Sequence, residues 1–151
     1  MNRLASFALI AAALGSCATE HEPCEQLIKI DKDRVKPSIY TATQFDLGEA
    51  GAFFEVKDAI TIACPIDKRR IWWYYDYEPG LDVDTWQICG GTEQCFLTPC
   101  KLAKPHAKSH TLTAVVADGP RTAKSTTMMD FPPGTQFDSV SWNITAKGAC
   151  K

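Results

Sequence analysis

Residues Ile71–Tyr77 read IWWYYDY: five aromatic rings in seven positions, holding two of the chain's four tryptophans and three of its four tyrosines. Aromatic residues fit a pleated, half-buried surface, so the stretch predicts a β-strand. Side chains alternate across a strand. Ile71, Trp73, Tyr75 and Tyr77 should therefore share one face, and Trp72, Tyr74, Asp76 and Glu78 the other. The first set is almost wholly apolar and is expected in the core. The second ends in two acids and is expected to face outward.

The same period of two runs through the rest of the chain. Val140, Trp142, Ile144 and Ala146 alternate with Ser141, Asn143, Thr145 and Lys147, the pattern of a strand with one dry face. His110–Asp118 places Leu112, Ala114 and Val116 on one side and then turns at Asp118-Gly119-Pro120. Ala59–Cys64 gives Ile60, Ile62 and Cys64 a common face before Pro65. Gln26–Asp31 and Ala52–Val56 are shorter candidates. No stretch after the N-terminal segment sustains helical periodicity for three turns. Short strands punctuated by Gly, Pro and Asp predict a single all-β sandwich over residues 26–150.

The segments IWWYYDYEPG, HTLTAVVADG and DSVSWNITA, taken in that order, resemble the immunoglobulin-like domains of bacterial surface proteins, including the polycystic-kidney-disease type. The resemblance covers roughly residues 53–147 and rests on short motifs. It implies that the aromatic segment is strand C, with Trp73 between the sheets, and that Leu112–Val116 belongs to strand F and the last segment to strand G. It departs at one point: strand F contains no cysteine, so the inter-sheet bridge of antibody domains is absent.

Residues 1–16 form a targeting segment. Met1-Asn2-Arg3 is a short basic start, and Leu4–Leu14 is an apolar run shorter than the roughly 20 residues of a membrane-spanning helix. Leu14-Gly15-Ser16-Cys17 closes it and resembles the lipobox of bacterial lipoproteins. That resemblance implies cleavage before Cys17, a diacylglycerol on its sulfur and an acyl chain, such as palmitate, on its amino group. Each buried CH₂ contributes about 0.8 kcal/mol, so such chains hold a small domain on a membrane. Ala18, in place of an aspartate, implies the outer membrane, and residues 17–25 are then the lipidated cysteine and a short tether. The alternative is an ordinary signal peptide with a chance cysteine.

The chain has 151 residues, with 16 Lys+Arg and 18 Asp+Glu. Of these only Arg3 lies within residues 1–16, so the remainder carries a net charge near −3 and no basic field to attract nucleic acid. Cys17 aside, six cysteines remain: Cys24, Cys64, Cys89, Cys95, Cys100 and Cys150. An even set in an exported chain predicts three disulfides, whose pairing the sequence leaves open. A metal site is the alternative, but the C-x5-C-x4-C run from Cys89 to Cys100 lacks the tight spacing of zinc knuckles.

No catalytic constellation stands out. There is no G-x-S-x-G elbow and no phosphate-cradling glycine loop, and His106 and His110 flank a strand as surface or edge histidines. Asp82 and Asp84, following Asp76 and Glu78, could offer oxygens to Ca²⁺, although a solvated acidic loop is the simpler reading. The expectation is a non-enzyme without metal or cofactor, attached to a membrane through its lipid and contacting an envelope protein or a glycan. Two groups of residues are candidates for that contact. Trp72, Tyr74 and Asp76 could form an outward platform for stacking sugars, unless the connection of residues 79–105 covers it. Met128, Met129 and Phe131 lie in the long connection Asp118–Gln136, where adaptable apolar side chains suit recognition. That connection could instead hold a short extra strand.

Overall fold

A computed structural model describes residues 28–41, 43–46, 51–62, 69–98 and 109–147. Nine strands run through them: β1 (Ile28–Ile30), β2 (Thr43–Asp46), β3 (Ala52–Glu55), β4 (Ile60–Ile62), β5 (Arg70–Tyr75), β6 (Gln87–Ile88), β7 (Gln94–Leu97), β8 (Ser109–Ala117) and β9 (Phe137–Lys147). There is no α-helix among the described residues, only single 3-10 turns at Lys57–Ala59 and Val83–Trp86.

The strands form a sandwich-like pair of layers. One layer is a five-stranded sheet in the order β2-β9-β8-β5-β6, antiparallel except for β2 beside β9. The other consists of two antiparallel pairs, β1 with β4 and β3 with β7. β3 and β4 are two halves of one run, Ala52–Ile62, broken by the first 3-10 turn. Asp138 Oδ2 ties the layers together by accepting a 2.7 Å hydrogen bond from the Ile30 amide.

The aromatic segment forms β5 as its composition predicts, and its odd-numbered residues build the core. Ile71, Trp73 and Tyr75 pair in register with Val116, Ala114 and Leu112, which in turn face Asp138, Val140 and Trp142. Trp73 and Trp142 are 0% and 1% exposed and stack with ring centroids 5.7 Å apart. Since β8 lies between their strands, the two indoles must meet above it, and the small side chain of Ala114 leaves them the space. Phe54 packs its edge on Trp142 at 5.4 Å, from the opposite layer. Each buried indole N–H has an acceptor: the Thr92 carbonyl for Trp73 at 2.8 Å and the Pro37 carbonyl for Trp142 at 2.7 Å. Buried donors need such partners, and here both come from segments outside the five-stranded sheet.

The alternation breaks one residue after β5. Asp76 adopts φ 48°, a left-handed conformation that Asp tolerates better than most residues. It is held there from β8: its amide donates to the Thr111 carbonyl at 2.8 Å, and its Oδ1 accepts from the Thr111 amide at 2.8 Å. The reversal sends Tyr77 to the other side of the sheet, not to the core face that simple alternation assigns it. The connection of residues 79–105 also holds more than loop, since β6 and β7 fall within it. Cys89 and Cys95, two of its cysteines, are joined as a disulfide at the start of β7. Cys17, Cys24, Cys64, Cys100 and Cys150 lie outside the described residues, as do His106 and the whole of residues 1–27.

The space above β8 makes a specific prediction. Ala114→Leu places added volume between two stacked indoles and should cost about 1–3 kcal/mol, as overpacking does in a close-packed core. Urea unfolding reads this as a lower midpoint at unchanged slope. An unchanged midpoint would mean that the indoles do not meet there.

Candidate functional site

The outward face of the five-stranded sheet is where the sequence places most of its candidate binding residues. Strand register builds it in three rows: Arg70, Ala117 and Phe137; Trp72, Val115 and Ser139; Tyr74, Thr113 and Ser141. In the last row the Thr113 and Ser141 hydroxyls are 2.8 Å apart. The part of this face around Tyr74 and Val115 is covered by the chain itself. Tyr74, Val83 and Val115 form a second buried cluster, with Trp72, Tyr77, Trp86, Met128, Met129 and Phe131 packed against it. The two candidate groups are thus one object, with the 118–136 connection lying over the aromatic strand.

Several contacts fix the cover in place. Its neck is closed by Asp118 and Gln136: the Asp118 amide donates to the Gln136 carbonyl at 3.1 Å, and the Gln136 amide to Asp118 Oδ1 at 3.0 Å. The Val83 amide donates to the Ser125 carbonyl at 2.9 Å, and the Tyr77 hydroxyl to the Thr126 carbonyl. Arg121 is the central pin. Its side chain is 7% exposed, its guanidinium donates to the Tyr74 hydroxyl and to Asp84, and its Cζ sits 5.8 Å from the centre of the Tyr74 ring. Such a geometry combines a charge-assisted bond with a cation–π contact. No strand forms in residues 118–136, so the extra-strand alternative gives way to an ordered cap made of turns.

This geometry changes the reading of each expected site residue. Tyr74 is 0% exposed, so an open Trp72–Tyr74 platform does not exist. Trp72 is half-buried, with Phe131 tilted against it at 5.6 Å and Phe137 stacked on Phe131 at 4.8 Å. Asp76 turns away from both and lies 2.6 Å from His110 Nδ1. His110 is itself buried, with its ring stacked on Tyr75 at 5.1 Å, in contrast to the surface or edge position its sequence context suggests. Burial follows because His110 shares the core face of β8 with Leu112, Ala114 and Val116, while Ser109 and Thr111 on the opposite face are exposed. Asp82 caps the second 3-10 turn by accepting from the Asp84 amide at 3.0 Å, and Asp84 pairs with Arg121. Asp76, Asp82 and Asp84 thus serve different partners.

Two exposed features stand out. On the second layer, Phe53 of β3 and Phe96 of β7 are directly opposite each other, with ring centroids 4.7 Å apart, and they are 65% and 45% exposed. Their neighbours Phe54, Cys95 and Leu97 point inward and are almost fully buried. Gly51 borders the pair at φ 117°, and a Cβ there would lie 2.9 Å from the Phe96 ring and against the Leu97 carbonyl. Only glycine fits so close an approach. In AFFE the sequence does not say which of Phe53 and Phe54 faces solvent, because that is set by pairing with the distant strand QCFL. A second exposed feature is a groove of about 290 Å³ lined by Arg69, Arg70, Ile71, Trp72, Gln87 and Gly91. Comparison with known proteins brings no match: no family model, curated protein or solved structure is similar to this chain.

Burial raises the pKa of the Tyr74 hydroxyl above its ordinary value near 10, against the opposing charge and hydrogen bond of Arg121. It raises that of Tyr75 further, with the Asp76 charge adding to the effect. Folding therefore favours the protonated phenols. Their stabilisation is fully present below about pH 10, the unfolded value, and is lost as pH rises towards the folded values. In an alkaline absorbance titration, Tyr74 and Tyr75 should ionise later than free tyrosine and together with loss of the fold. Ionisation of Tyr74 and Tyr75 near pH 10 with the fold intact would contradict their burial.

Proposed function

We propose that this chain is a lipid-anchored module of the cell envelope, built on an immunoglobulin-like sandwich, with a structural or protein-interaction role and no catalysis of its own. The immunoglobulin-like reading is supported by the order β9-β8-β5-β6, which corresponds to G-F-C-C′, and by the buried Trp73 at the centre of the strand in the C position. Anchoring is supported by Leu14-Gly15-Ser16-Cys17 and the apolar run before it, and the outer membrane by Ala18.

The observation that carries the interaction role is the Phe53–Phe96 pair. Residues 118–136 bury Tyr74, Val83 and Val115 on one outer face of the sandwich and leave Phe137 42% exposed at its end, whereas the other face presents two touching aromatic rings to solvent on a paired-strand base. Aromatic residues in such positions are the usual anchors of protein interfaces. The partner is an envelope protein with an apolar patch of its own.

Two measurements test this reading. A photo-crosslinking side chain at position 53 of the full chain, activated in intact cells, should give a discrete adduct with one envelope protein, lost on Phe96→Ser. The same probe at Asn143, on the opposite layer, should give none. Equal adducts at both positions, or none at either, would overturn the docking role. Cys17→Ala should release the chain from the membrane fraction, and retention there would exclude the lipid anchor.

A further inference from the structure

A groove lies at the start of β5, on a different layer from Phe53 and Phe96. Arg70, Trp72 and Tyr74 occupy alternate positions of β5, and Gln87 of β6 pairs with Tyr74 in register. Tyr74 is sealed under the cap, so the accessible part of this row is its Arg70–Trp72 end. There the groove of about 290 Å³ opens between the two arginines, Trp72 and Gln87. The turn at Gly91 leaves the side open, since a Cβ built on it would meet nothing within 4 Å.

The side chains around the groove define a ligand chemistry. Arg69 is already neutralised by Glu93, in a pair that includes a hydrogen bond. Arg70, next to it, is exposed and has no carboxylate partner among the described residues. Its planar fork suits bidentate contact with a carboxylate. Trp72 is backed by the Phe131–Phe137 stack, which holds its ring in place without further ordering on binding. A half-buried indole offers a flat apolar surface to the C–H face of a pyranose. Gln87 supplies both a donor and an acceptor for ring hydroxyls. The volume lies at the small end of ligand pockets, roughly 300–1,000 Å³, and so takes one or two sugar rings. The chain's net charge of −2 gives no overall basic field to draw in nucleic acid.

We propose that Arg70, Trp72 and Gln87 form a site for a uronic-acid saccharide, with the pyranose on Trp72 and its carboxylate on Arg70. Phosphate-bearing ligands share the anionic chemistry, and the test separates them from an acidic sugar.

The full chain in detergent micelles is titrated with trigalacturonic acid, maltotriose or inorganic phosphate while the tryptophan indole N–H resonances are followed by NMR. Trp73 and Trp142, whose indoles are hydrogen-bonded in the core, serve as internal controls. Trigalacturonic acid should shift the Trp72 resonance saturably with a Kd of about 1 mM or tighter, a weak but measurable affinity. Maltotriose should bind at least about tenfold more weakly, equivalent to 1.4 kcal/mol. Arg70→Ala, at an exposed position, should leave the Trp73 and Trp142 resonances in place and reduce affinity for trigalacturonic acid by a similar factor. Gln87→Ala should weaken both saccharides. No saturable shift at Trp72, equal affinity for the acidic and neutral sugars, or undiminished binding by Arg70→Ala would overturn the proposal. A phosphate affinity equal to that for trigalacturonic acid would overturn the saccharide assignment.

Discussion

The stacked indoles of Trp73 and Trp142 are the contact on which the rest of the molecule depends. Two large rings from non-adjacent strands fill the centre of the sandwich, and each needs a hydrogen-bond acceptor that its own sheet does not supply. The acceptors come from Pro37, between the first two strands, and Thr92, just before β7. A burial requirement thereby becomes a topological one, because both segments must reach the core for the indoles to be satisfied. Phe54 then closes the stack from the second layer, opposite the point where Phe53 turns outward.

A second constraint shapes the other side of the five-stranded sheet. Tyr74 and Val115 would leave an apolar stripe in water, and the chain covers it with residues 118–136. A cap made of turns has little regular hydrogen bonding of its own, so polar contacts must position it. Arg121 does most of this, because it reaches the buried phenol and an exposed carboxylate at once. Its guanidinium keeps its charge: burial pulls its pKa down, but Asp84 and Tyr74 together more than offset that and raise it. The proposed recognition functions fall outside this cap, on the Phe53–Phe96 pair and on the Arg70 end of β5.

Much of this fold was legible in the amino-acid order. The alternation in IWWYYDY and in VSWNITAK identifies β5 and β9, and HTLTAVVA identifies β8, because each carries five or more residues of consistent pattern. The strands that escaped notice are short. Gln87–Ile88 has two residues, and Thr43–Asp46 and Gln94–Leu97 four each, too few for a period to stand out. Simple alternation puts Tyr77 on the core face, but a single left-handed residue at Asp76 resets it, and the hydrogen bond from Thr111 that holds Asp76 there comes from 35 residues away. The covering of Tyr74 and the burial of His110 are likewise effects of distant segments. Local pattern therefore located the aromatic candidates but could not say which remained accessible.

The central claim is that the aromatic strand is buried on both sides from Trp73 to Tyr75 and held by the Trp73–Trp142 pair. Native-state hydrogen exchange of the tryptophan indole N–H groups tests it most directly, since deeply buried, bonded protons exchange only through global opening. Trp73 and Trp142 are expected to exchange at the rate set by the free energy of global unfolding, while the half-buried Trp72 exchanges faster. Exchange of either core indole on the timescale of surface groups, with the fold intact, would contradict the account.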